Sequence, residues 1–99
     1  MVHEIAMLTI DPANAAAFEE ALREAVNLFR RAEGCRSMVV ERSIETPGSY
    51  RLVVGWDNID AHMVTFRQSD DFATWRGLVG GFFVEPPQVQ HTTRVIDGF

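Results

Sequence analysis

The sequence predicts an α+β fold of the ferredoxin-like βαββαβ kind, a four-stranded antiparallel sheet with helices on one face. Three observations predict it. Short apolar runs with strand character stand near both ends and in the middle of the chain. Two segments with apolar residues at helical spacing separate them. A Pro-Gly turn joins the two middle strands as a hairpin. Residues 1–99 read as one domain.

Val2 to Ile10 is the first strand. Asp11-Pro12 then supplies a helix N-cap and a proline at the first helical position. Phe18, Leu22, Ala25 and Phe29 recur on one face as far as Ala32, and Gly34 ends the helix. Arg36 to Ile44 alternates, with Met38, Val40 and Ile44 on one side and Ser37, Glu41 and Ser43 on the other. Thr46-Pro47-Gly48-Ser49 is a tight turn, and Tyr50 to Trp56 is the returning strand. Asn58 caps a short helix holding Ile59, His62, Met63 and Phe66. Ser69 caps another, with Asp70 and Asp71 in its first turn and Phe72, Trp75 and Val79 along it. Gly80-Gly81 stop that helix, and Pro86-Pro87 prevent its resumption. Val89 to Ile96 is the last strand, with Val89, His91, Thr93 and Val95 on one face.

Two helices cover one face of such a sheet. The third strand, however, is apolar on both: Leu52, Val54 and Trp56 on one side, Val53 and Gly55 on the other. A short chain buries about two-thirds of its unfolded surface and gains much from a partner. The economical cover for the second face is the same sheet of a second copy, in a two-fold homodimer.

Composition narrows the chemistry. Nine basic residues oppose fourteen acidic ones, for a formal charge of −5, and all nine are arginines. Without lysine there is no Schiff-base anchor and no P-loop. One cysteine makes neither an internal disulfide nor a Cys-x-x-Cys site, which fits a reducing compartment. The acidic balance argues against nucleic acid. No apolar run nears the roughly 20 residues of a membrane span. Glu4 and the lack of a basic N-terminal region do not suit a signal peptide, so a cytoplasmic protein is expected.

Six of the ten aromatic residues fall between positions 56 and 83: Trp56, Phe66, Phe72, Trp75, Phe82 and Phe83. With His62, Arg67 and Arg76 beside them, they fit a small-molecule pocket or plain core. His62 fits a general base or a half-buried, hydrogen-bonded histidine. His91 faces either the pocket or the dimer interface, the second being the better fit. His3, near the terminus, is expected to be exposed. Arg76 fits an oxyanion stabiliser, a solvated helix face, or a partner of Asp71 or Glu85. The three histidines lack local metal-ligand spacing. Tyr50, at a strand start beside the turn, is expected to be structural, and Cys35, after the helix-ending glycine, to be incidental.

The stretches Val54-Gly55-Trp56-Asp57, His62, Phe66-Arg67-Gln68-Ser69 and Phe72-Ala73-Thr74-Trp75-Arg76 resemble the antibiotic biosynthesis monooxygenase superfamily. The continuation from Leu78 to Pro87, with Val89 and His91, is similar to one uncharacterised subgroup. The resemblance implies a dimeric α/β barrel of two sheets back to back, with a pocket in each subunit. It also implies oxygenation of phenolic, quinol or anthrone-like aromatics, often with neither metal nor flavin. Many members carry a histidine three residues before the serine of the second helical region, where this chain has Phe66. The haem-degrading relatives use an asparagine in the first strand, which Val2 to Ile10 lacks, and this argues against haem degradation.

The resulting expectation is a cofactor-independent monooxygenase. Its partners are a second copy, a small electron-rich aromatic molecule and O2. His62 serves as base and Arg76 stabilises charge, while Trp56, Phe66, Phe72, Trp75 and Phe83 form the wall. Two other classes use the same pocket: a non-catalytic ligand-binding or stress-associated dimer, and an isomerase or cyclase.

Overall fold

Alternation of apolar and polar side chains, interrupted by two capped helical segments, produces one sheet with one helical layer. The computed structural model describes residues 1–99. Strands β1 (Val2–Thr9), β2 (Cys35–Arg42), β3 (Ser49–Trp56) and β4 (Gln88–Thr92) form an antiparallel sheet in the order β2-β3-β1-β4. Helix α1 (Ala15–Arg30) lies between β1 and β2. Between β3 and β4 come a π-helix (Ala61–Phe66), helix α2 (Asp70–Val79) and a 3-10 turn (Gly80–Phe82). This is the ferredoxin-like arrangement that the pattern predicts.

The helix starts follow side-chain chemistry. Asp11 Oδ1 accepts from the Ala13 amide at 2.9 Å, and Pro12 opens the 3-10 turn that leads into α1. Ser69 Oγ accepts from the Phe72 amide at 3.2 Å and caps α2. Two glycines sit where other residues would be strained. Gly34 has φ +80° at the turn after α1, and a Cβ there would come within 2.8 Å of Ala61 Cβ. Gly48 has φ +84° in the β2–β3 turn, where a Cβ would strike the Ile10 carbonyl. That turn is closed by Ser49 N donating to Thr46 O at 3.2 Å.

The helix-facing side of the sheet carries the core: Ala6 and Leu8 of β1, Tyr50, Leu52, Val54 and Trp56 of β3, beneath Phe18, Leu22, Ala25 and Phe29 of α1. Phe29 meets Trp75 edge to face at 4.9 Å, which joins α1 to α2. Arg31 at the end of α1 makes a bidentate pair with Asp71 at 2.7 and 2.8 Å.

Several expectations need correction. The last strand ends at Thr92 instead of Ile96, and Thr93 and Val95 are exposed with no regular structure. β4 pairs only with β1, and their last pair is His3 with Thr92, next to the start of β1 at Val2. Ile44 is not on a strand: β2 ends at Arg42, and Ile44 lies in the turn, 94% exposed. His3 is half-buried on the open face of the sheet instead of exposed.

Candidate active site

The chain lays a cavity of about 510 Å³ between the helix-facing side of β1, β3 and β4 and the segment from the π-helix to Pro87. That volume suits a small ligand, for which pockets of about 300–1,000 Å³ are usual. Phe72, Trp75 and Phe83 supply aromatic wall, with Leu52, Ala6 and Val89 below. Phe83 is fixed by backbone pairing of its neighbourhood to the end of β1, where Val84 N donates to Thr9 O at 3.0 Å.

His62 enters from the π-helix. Asn58 Oδ1 accepts from the Ala61 amide at 2.9 Å and starts that helix. Arg67 N then donates to His62 O at 3.2 Å, one residue longer than an α-helical bond. Such wide turns recur at functional sites. His62 is 4% exposed, and its ring stacks on Trp56, with centroids 5.3 Å apart and planes 18° apart. His62 Nδ1 lies 2.8 Å from His91 Nε2. His62 Nε2 lies 3.3 Å from Glu4 Oε1, which also accepts from Trp56 Nε1 at 3.1 Å.

Glu4 is 6% exposed. Burial pushes its carboxyl above the ordinary range, against the opposing pull of the Trp56 N–H and the Arg67 charge. Burial likewise drives the His62 pKa down to about 4, helped by the His91 and Arg67 charges. His62 is therefore neutral near pH 7, and its contact with Glu4 joins a neutral ring to a carboxyl group. Glu4, His62 and His91 stand in a line, with one neighbour at each nitrogen of the middle ring, and not around a common point.

Of the residues expected at the site, His62, Phe72, Trp75, Arg76 and Phe83 do line the cavity. Trp56 and Phe66 do not. Both are buried behind the wall, Trp56 against Phe29, His62 and Phe66. Their large apolar rings are absorbed by the contact between helices and sheet. His91 faces this cavity and not the open face of the sheet, because β4 pairs it with Glu4, on the helix side. Arg76 is exposed at the rim and pairs with neither Asp71 nor Glu85: Asp71 is held by Arg31, and Glu85 accepts from Thr9 Oγ1 at 3.0 Å. Glu4 is the site residue that sequence reading missed. Its signal was present: in β1 it alternates with Ala6 and Leu8, so it shares their buried face.

Comparison with known proteins places this geometry in a family. The antibiotic biosynthesis monooxygenase family model matches residues 1–78. A crystal structure of a Bordetella bronchiseptica protein bearing that family's name is 49% identical, with a TM-score of 0.93 over 96% of this chain and 97% of that one. YczJ of Bacillus subtilis, an uncharacterised protein, is 31% identical over 91 residues, 92% of this chain and 96% of its own length. SnoaB of Streptomyces nogalater, a cofactor-independent oxygenase, shares the fold at a TM-score of 0.78 and 18% identity, over 98% of this chain and 95% of that one. The model match over most of the chain, with the Bacillus and Bordetella likenesses, shows that this chain belongs to the antibiotic biosynthesis monooxygenase family.

Proposed function

We propose that the cavity oxygenates a small electron-rich aromatic molecule, of the quinol, phenol or anthrone class, without a bound cofactor. The observation that carries this reading is a histidine pair on the wall of an aromatic-lined cavity. An acidic aromatic substrate becomes a reductant when it loses its proton. It then supplies the electrons for O2: one oxygen atom enters the product and the other leaves as water. The protein's tasks are to remove the proton, exclude water and stabilise negative charge. The histidine pair takes the first task. Phe72, Trp75 and Phe83 take the second, and Arg76 at the rim takes the third.

The working unit in this reading is a homodimer. On the open face Val39, Val53 and Ile5 are cross-strand neighbours in one row, with Met7 beside Ile5's end of it. Ser37, Gly55, His3 and Thr92 border this row on one side, and Glu41 and Arg51 on the other. An apolar centre with a polar rim suits a second copy of the same face.

Oxygen consumption by the purified protein with a panel of quinols and anthrones tests the activity. His62→Ala should lower the rate about a hundredfold or more, the usual contribution of a positioned base. An unchanged rate would remove the histidine pair from the reaction. Binding without oxygen uptake would favour a ligand-binding dimer, and product without oxygen uptake an isomerase or cyclase.

A further inference from the structure

We infer that Glu4 is the final acceptor of the substrate's proton, which it receives from the cavity through His91 and then His62. This rests on the reading of the cavity as a site for an acidic aromatic hydroxyl, and it names where the proton goes.

The line is set by the fold. Glu4 and His91 are directly opposed residues of β1 and β4, and His62 descends between them from the π-helix. Indole N–H is only a donor, so Trp56 donates to Glu4 Oε1. With Glu4 ionised, His62 carries its proton on Nε2, toward Glu4, and Nδ1 accepts from His91 Nε2–H. That leaves His91 Nδ1 as a bare lone pair. His91 Nδ1 makes no hydrogen bond within the protein, and no buried side-chain nitrogen lacks a partner, so this atom is open to solvent. The 3.3 Å contact between His62 Nε2 and Glu4 Oε1 is a close approach and not an aligned hydrogen bond, and catalytic contacts of this kind often align and tighten only when substrate is bound.

The transfer balances without an oxidant. The substrate O–H bond breaks and its electron pair stays on oxygen. The proton bonds to His91 Nδ1, while the His91 Nε2 proton moves to His62 Nδ1 and the His62 Nε2 proton moves to Glu4 Oε1. Both rings end neutral, with their tautomers exchanged. One negative charge has left a buried carboxylate and appeared on the substrate. Burial favours this direction, because no ion pair compensates an ionised carboxylate at Glu4: Trp56 and His62 beside it are neutral, and the Arg67 charge offsets burial only in part. Arg67 and Arg76 line the same cavity, and neither forms an ion pair with a carboxylate, so both are free to face the new anion.

A nitrophenol serves as a chromophoric probe, used below the pH at which it ionises in water. Three readouts are taken on the intact protein: visible absorbance for the bound phenolate, a pH indicator in weak buffer for released protons, and an infrared difference spectrum for a protonated carboxyl group. The expected result is bound phenolate, no proton released, and a carboxyl band that Glu4→Gln lacks. Glu4→Gln should also slow turnover about a hundredfold with KM little changed. Phenolate binding with one proton released per ligand, or without the carboxyl band in the wild type, overturns the relay and leaves the oxygenase reading standing. Failure of any phenol to bind removes both. If Glu4→Gln does not fold, the wild-type proton count and carboxyl band still decide.

Discussion

Burial holds the His62 ring neutral down to a pKa of about 4 in the folded protein, against about 6.5 for a free histidine. The unfolded chain therefore binds a proton that the folded chain refuses between these values. Stability is unaffected by His62 above about pH 6.5, falls as pH drops from there, and is fully reduced below about pH 4. Between about pH 7 and pH 5 this amounts to a loss of about 2 kcal/mol. Glu4 acts in the opposite sense: its raised pKa means that the fold gains stability as pH falls from that raised value to the ordinary carboxyl value. Urea unfolding of wild type and His62→Asn at about pH 7 and 5 checks the balance. The variant should lose much of the pH dependence, and equal slopes in both proteins would mean that His62 is not held neutral. At this scale the sequence was informative about His62, flanked by Phe66 and Trp56, but silent about its partners. Glu4 and His91 are 87 positions apart and meet only through the register of β1 with β4.

Elements were more legible, because caps and turns are local chemistry. Asp11-Pro12, Asn58, Ser69 and Pro47-Gly48 each mark a boundary that the structure keeps. The end of β4 was not legible, since Thr93 and Val95 continue the alternation in sequence although the pairing with β1 stops at His3 and Thr92. The π-helix was also hidden: apolar spacing over Ile59 to Phe66 reads as an ordinary helical turn, while the wider hydrogen bond from Arg67 N to His62 O depends on packing. Ser69→Ala should cost about 1 kcal/mol by removing the α2 cap. Thermal unfolding measures that cost. A larger loss of cavity binding than of stability would indicate that α2 orients Phe72, Trp75 and Arg76 as well as closing the fold.

At the scale of the whole molecule, the two-sided apolar character of β3 led to the expectation that helices cover one sheet face and a second copy the other. Leu52, Val54 and Trp56 are buried beneath the helices, whereas Val39 in the next strand is 52% exposed on the other face. Val53→Asp, at the middle of the Val39–Val53–Ile5 row, should convert a dimer to monomer in sedimentation experiments while leaving each fold intact. A wild-type monomer at all concentrations would exclude this face as a stable interface. The aromatic cluster was legible as a cluster but not as a surface. Trp56 and Phe66 lie in the packed layer, and Phe72, Trp75 and Phe83 at the cavity, a division decided by tertiary geometry.

In the proposed reaction the cavity transfers one oxygen atom from O2 to an aromatic ring, using the substrate's own electrons. Reaction of the purified, metal-chelated protein with an anthrone or quinol under oxygen-18 gas, followed by mass spectrometry, tests it most directly. The expected product carries one labelled oxygen atom and forms in step with O2 uptake, about a hundredfold more slowly in His91→Ala. Product without label, or tight binding of the aromatic with no O2 consumed, would contradict it.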